Sequence, residues 1–220
     1  MVYPDEIIRS SRKTLAISVD GLGKVTVRAP KRCDDKRIFS FLQQHEGWIL
    51  RQKAKMRQAG VDLPGENLDG YTLPLMGKTY RICLYEGGKI RLDNDALVLF
   101  LPSENSRVRL VAWLKENAKR ILTALTARMA TEMGVAYSKI RITSARTRWG
   151  SCSGKNSIAY TFRLVYLPQE VMEYVIVHEL AHVKHKNHSK MFWKEVEKYV
   201  SDWKNKRKWL KERGVYMQIF

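Results

Sequence analysis

The chain has 220 residues, 45% of them hydrophobic, and carries 40 Lys/Arg against 22 Asp/Glu for a net charge of +18. That length suits one large domain or two small ones with a buried core. No run approaches the ~18 apolar residues of a membrane span, and the opening M-V-Y-P-D-E-I-I-R-S-S has no apolar leader region, so a cytoplasmic protein without a membrane partner is expected.

Residues 12–19 alternate loosely and read as a strand. Asp20-Gly21-Leu22-Gly23 is a turn, and the strict alternation K-V-T-V-R-A at 24–29 closes a hairpin before Pro30. Asp34 and Asp35 cap a helix over 35–45, and a second helical run over 46–59 ends at Gly60. The Pro- and Gly-bearing stretch 61–70 is a loop. Short strands follow at 71–76, 78–86, 89–93 and 96–101, expected as an antiparallel meander.

A long helix is predicted over 104–133, ending at Gly134. Its apolar stripe of Val108, Val111, Leu114, Ala118, Ile121, Leu122, Leu125 and Met129 reads as core packing. Strands are expected at 139–145 and 157–165, with R-T-R-W-G-S-C-S (146–153) between them. Pro168 opens a helix with Gln169, Glu170 and Glu173 in its first turns, where negative charge suits the dipole. Ser189 caps a further helix over 190–201, and a strongly basic one over 203–213 stops at Gly214.

The helix after Pro168 runs into H-E-L-A-H-V-K-H-K-N-H at 178–188, which holds four of the five histidines. His178-Glu179-x-x-His182 has the spacing of a helical zinc hydrolase. Positions i and i+4 share a face, so both imidazoles reach one ion, and Glu179 beside the first ligand can act as general base on a water. A catalytic zinc takes three protein ligands and leaves one position open. His185 lies on the same face as His178 but about 10 Å along the axis, too far for one ion. His188 reaches the ion if the helix ends first, and Asn187 is a plausible left-handed terminator. Glu195 and Glu197 are rival third ligands. A closed, structural site would instead recruit Cys152 or His185 as a fourth. The plain alternative to all of these is a surface helix rich in histidine and lysine.

Three segments in order resemble the YgjP-like metallopeptidases: R-T-R-W-G-S-C-S (146–153), H-E-L-A-H-V-K-H-K-N-H-S-K-M-F-W (178–193) and K-N-K-R-K-W-L-K-E-R-G (204–214). This zincin-class family is related to the SprT-like and WLM proteases. The resemblance implies an α+β fold, with a β-rich N-terminal part (1–102) and a zincin-like helical core with a small antiparallel sheet (103–220). It also implies Zn2+ at His178, His182 and His188, Glu179 as general base, and a protein or peptide substrate. In zincins the substrate commonly lies as an extra strand against the sheet edge, which by analogy points to residues 156–161.

Some roles stay open. His185, Tyr160 and Tyr166 are candidates for stabilising an oxyanion. Trp149 and Cys152 read as strand packing beside the metal helix, with Cys152 alternatively modulating the metal, and Trp193 and Trp209 read as core anchors. Cys33, Cys83 and Cys152 have no metal-ligand spacing and read as reduced thiols. Residues 136–220 hold 17 Lys/Arg against 7 Asp/Glu, a net +10, so charge concentrates in the C-terminal part. A basic surface leaves a nucleic-acid partner open, with proteolysis confined to DNA-bound proteins, and a non-proteolytic zinc protein is the further alternative.

Overall fold

The computed structural model describes residues 2–19, 23–58 and 64–220. The expected turn at 20–22, the helix stop at Gly60 and the loop residues 61–63 lie outside the described residues. The chain divides into two compact units, residues 1–63 with residue 219, and residues 64–218 with residue 220.

In the first unit, strands β1 (Glu6–Ser10), β2 (Ala16–Val19) and β3 (Val25–Pro30) form a sheet in the order β1-β3-β2. The period-2 pattern of β3 buries Val25, Val27 and Ala29 completely. These pack with Ile38 and Leu42 of α1 (Asp35–Gln44) and Ile49 of α2 (Glu46–Gln58). Asp34 caps α1 as expected, its carboxylate accepting from the Lys36 N–H at 3.3 Å. The β2–β3 hairpin also forms. β1 was not anticipated: it pairs with β3 in parallel, and E-I-I-R-S has no alternation to announce it.

The second unit opens with β4 (Thr72–Leu75), β5 (Lys78–Tyr85), β6 (Arg91–Asp93) and β7 (Val98–Pro102). Met76 and Gly77 both have positive φ, as a two-residue I′ hairpin between β4 and β5 requires. The sheet is not an antiparallel meander. Its order is β4-β5-β7-β6, with β5 and β7 parallel. Alternation along each strand reports which face is buried but not which neighbour it pairs with. The Met76 N–H donates to the Val165 carbonyl at 2.7 Å, so this sheet is tied to the later helical part. The expected division at 102/103 falls inside this unit.

Helix α3 (Ser106–Met133) closes with a Schellman turn: Gly134 has φ +60, and the Val135 N–H donates to the Ala130 carbonyl at 3.0 Å. Its buried line runs Leu110, Leu114, Ala118, Leu122, Thr126, Met129, Ala130 and Met133. That line is rotated from the expected stripe, so Val108 is 70% exposed. Thr126 belongs to it because its hydroxyl donates to the Tyr160 hydroxyl at 3.3 Å. Next come β8 (Lys139–Thr143), β9 (Gly150–Cys152) and β10 (Ser157–Thr161), in the order β8-β10-β9. This sheet is mixed rather than antiparallel: β10 pairs β8 in parallel and β9 antiparallel. Residues 162–165, expected to continue the strand, instead turn into a buried 3₁₀ segment, Phe162–Tyr166.

Helix α4 (Gln169–Lys184) packs against α3, β9, α5 (Lys190–Tyr199) and α6 (Trp203–Glu212). It is buried almost all round, from Val171 through Val177 to Ala181. Its C-terminal end is held by Lys184, whose ammonium donates to the Met133 carbonyl at 2.8 Å and to Glu195 at 2.7 Å. The other Glu195 oxygen accepts from Lys198 at 2.6 Å. Hydrogen bonds from these two lysines hold the Glu195 carboxyl below its ordinary pKa. Its folded pKa is depressed, so its contribution is complete above the unfolded value of about 4.3 and is lost as pH falls through the lower folded value. Glu195→Gln is therefore expected to lower unfolding free energy by about 1–3 kcal/mol at pH 7. Denaturant titrations should show that difference shrinking at acid pH.

Candidate metal centre

Helix α4 carries His178, Glu179 and His182, and ends one turn earlier than Asn187. Its last helical residue is Lys184, and His185 follows in an extended conformation (φ −128°, ψ 101°). Asn187 is not the terminator, since it has no positive φ. The extended His185 turns its carbonyl back toward α4, where it meets His182 Nδ1 at 3.0 Å. That contact makes Nδ1 the protonated nitrogen of neutral His182 and leaves Nε2 free to bind a metal. The chain then reverses, and the Ser189 hydroxyl accepts from the Phe192 N–H at 3.4 Å, starting α5. His188 sits in this reversal.

The reversal brings the three histidines together. Ligand atoms of His178, His182 and His188 all lie within 4.8 Å of one another. His178 Nε2 and His188 Nε2 are 3.1 Å apart. Two nitrogens bound at about 2.0–2.1 Å to one tetrahedral zinc would stand about 3.3 Å apart, so the spacing fits a shared ion. Among the described residues the group contains no fourth ligand. Cys152 turns its thiol to the Ser153 carbonyl, and Glu195 is engaged by its two lysines. Glu197 is exposed on α5 and, like His185, lies outside the group.

Aromatic rings hold the imidazoles in place. Phe192 lies 4.9, 4.5 and 4.8 Å from the rings of His178, His182 and His188. Trp193 stacks on His188 at 5.7 Å and on Trp203 at 4.1 Å. Trp193 is thus a wall of the site as well as an anchor. Burial, the two neighbouring imidazoles and Arg207 push His178 down to about 3, so it stays neutral, as a ligand must. Burial, followed by the His188 and Lys186 charges, also lowers His182, against the raising effect of its hydrogen bond to the His185 carbonyl.

Glu179 is buried, and that burial alone pushes its carboxyl up to about 8. Its neighbour is Gly150 of β9. A Cβ at Gly150 would stand 2.7 Å from Glu179 Cγ and 2.7 Å from its Oε1. Only glycine leaves room for the carboxylate, a requirement the sequence reading missed although W-G-S-C was in view. Glu179, His178 and Gly150 line a cavity of about 320 Å³ together with Trp149, Tyr174 and Val175, and with Arg207, Leu210 and Lys211 from α6. Burial raises the Tyr174 hydroxyl to about 12.

None of the three oxyanion candidates lines that cavity. Tyr160 is wholly buried against Thr126, Tyr166 is buried beside Phe162, and His185 is spent on capping α4 and orienting His182. β10 is the central strand of its sheet, so residues 156–161 offer no free edge; β9 does. Trp209 is half-buried, with Arg213 over its ring at 4.5 Å, and is not a core residue.

No helix among the described residues is long and apolar enough to cross a membrane. Cys33, Cys83 and Cys152 are free thiols.

Two solved structures are similar to part of the chain. The metallopeptidase zymogen of Pyrococcus abyssi abylysin is 26% identical, covers 41% of this chain and 93% of its own, and has a TM-score of 0.38. The metallopeptidase zymogen of Methanocaldococcus jannaschii jannalysin is 24% identical, covers 41% of this chain and 89% of its own, and has a TM-score of 0.36. No curated protein matches the chain. The sequence matches the family described as YgjP-like, metallopeptidase domain, over residues 13–213. That span takes in β2 to β10, helices α1 to α6 and the whole histidine cluster, and the chain belongs to the YgjP-like metallopeptidases, metal-dependent hydrolases of peptide bonds.

Proposed function

We propose that the chain is a zinc-dependent endopeptidase in which His178, His182 and His188 hold the ion and Glu179 is the general base. The observation that carries this reading is the convergence of three imidazole ligands beside a buried carboxyl group. A set of neutral imidazoles with no carboxylate among them suits zinc better than the harder divalent ions. Zinc held there supplies a Lewis acid and lowers the pKa of a coordinated water to about 7.

The remaining work belongs to the chain. Glu179 accepts a proton from the attacking water on a carboxylate oxygen and passes it to the leaving amine. Without a cation its burial favours the protonated acid, and a dication at the neighbouring imidazoles draws the pKa back down, so the base is ionised when the ion is present. The His185 carbonyl keeps the His182 ring in one orientation throughout.

Strand β9 supports the placement of substrate. Thr161 N–H donates to the Trp149 carbonyl at 3.0 Å, and Ser153 N–H to the Ser157 carbonyl at 2.9 Å. In an antiparallel ladder alternate residues face the partner strand, so Gly150 and Cys152 turn their main-chain groups to the free edge. An extended peptide added there would run beside Glu179, with main-chain pairing supplying affinity.

Elemental analysis after dialysis should find about one zinc per chain, much reduced in His188→Ala. Glu179→Gln should keep its zinc and lose about 10³-fold in kcat on any cleaved peptide. Gly150→Ala should also keep its zinc but displace the Glu179 carboxylate, with a loss in kcat/KM of about a hundredfold. Wild-type rates in either variant would contradict the assignment.

A further inference from the structure

The cavity that Gly150, His178 and Glu179 line on one side extends to α6, and the groups at its α6 side have no part in the chemistry just described. Its volume of about 320 Å³ is at the low end for a ligand pocket and suits one or two side chains rather than a folded partner. Trp149, Val175 and Leu210 supply its apolar lining. An apolar slot of this kind accepts the methylene stem of a side chain. Its polar end is set by two cations. Arg207 and Lys211 are spaced i, i+4 on the face of α6 that also presents Leu210.

These two cations differ from their neighbours. Lys206, one residue away, is paired with Asp202 at 2.5 Å, and Lys184 and Lys198 are paired with Glu195. Among the described residues no carboxylate pairs with Arg207 or Lys211. Arg207 is nonetheless held in place, its guanidinium carbon 5.1 Å from the centre of the Trp193 ring. Trp193 is fixed in turn by Trp203 at 4.1 Å. A guanidinium laid over a ring uses its face and leaves its N–H edges to meet a carboxylate in two parallel hydrogen bonds. The cavity thus joins an apolar stem-binding wall, a preoriented planar cation and a second, flexible cation, beside the reacting centre.

We infer that this cavity is a substrate subsite for a carboxylate group near the scissile bond, with Arg207 and Lys211 as its specificity-determining residues. The carboxylate comes from a glutamate or aspartate side chain or from the free end of a peptide. The first makes the enzyme an acid-directed endopeptidase, the second an exopeptidase of short reach. The inference rests on the metallopeptidase reading above, and names the substrate class for that site.

The test uses the zinc-loaded full chain and a set of quenched fluorescent peptides. Each position flanking the scissile bond carries Glu, Gln or Leu in turn, and each peptide is made with a free and an amidated C-terminus. At one position kcat/KM is expected to favour Glu over Gln by about tenfold or more, the value of one charge-assisted hydrogen bond. A preference for the free acid over the amide, in place of the side-chain preference, assigns the carboxylate to the chain end. In Arg207→Gln/Lys211→Gln, with zinc content measured alongside, the preference should fall to about one. Peptides cleaved with no carboxylate preference in the wild type, or a preference unchanged in the double variant, overturn this inference and leave the metallopeptidase reading standing. No cleavage of any peptide by the zinc-loaded chain overturns both.

Discussion

A straight helix through residues 178–188 would carry His188 about 15 Å along the axis from His178, and no ion could bind both. The centre therefore depends on how α4 stops. Continuing the helix would keep one main-chain hydrogen bond per residue. Ending it at Lys184 leaves carbonyls without helical partners, and other bonds must replace them. The structure supplies several at once. The His185 N–H caps the Ala181 carbonyl, the His185 carbonyl takes the His182 imidazole, and Lys184 bridges the end of α3 to Glu195 on α5. Ser189 then restarts a helix immediately after the third histidine. Each bond is modest alone. Together they fix a reversal of four residues, and the metal geometry is a by-product of that reversal.

The same helix resolves a second conflict. A helix buried on nearly every side is the stiffest support available for a reacting group, but burial makes ionisable residues expensive. Glu179 and His178 show the conflict in opposite directions, one pushed up and the other down toward their neutral forms. A neutral imidazole is what a metal needs. A neutral carboxylic acid is not what a base needs, so the site is complete only when a cation offsets the burial. In the proposed mechanism this would couple metal binding to the charge state of Glu179 through one physical term, desolvation, applied to two adjacent residues.

Much of this was legible in the sequence, and the parts that were not share a cause. The spacing of His178, Glu179 and His182 on one face, the Ser189 cap, the Gly134 stop and the buried alternation of Val25, Val27 and Ala29 are all local, and short-range geometry fixes them. Pairing across distance was not legible. β1 joins β3 in parallel and β7 slips between β5 and β6, because alternation along a strand is blind to its partner. The stripe on α3 was misplaced by a fraction of a turn, since Thr126 is buried for a hydrogen bond to a residue 34 positions away. Asn187 offered a left-handed stop that the chain did not take: the helix ends at Lys184, where the His185 carbonyl accepts from the His182 imidazole and Lys184 ties the end to Met133 and Glu195.

Gly150 shows the limit most clearly, and also what lies beyond it. As a glycine in a three-residue strand it reads as a weak point, costing chain entropy and packing nothing. Its reason lies 29 residues on, where the Glu179 side chain occupies the space a Cβ would need. The vacancy lets α4 approach β9 closely enough for the carboxyl group to reach the strand, whose edge carries no partner within the sheet. A larger residue would move the Glu179 carboxyl group away from the edge where a peptide could be laid, and the two would no longer share one position. One missing side chain therefore links the strand proposed to pair with a substrate to the helix that carries the proposed base and two of the proposed metal ligands.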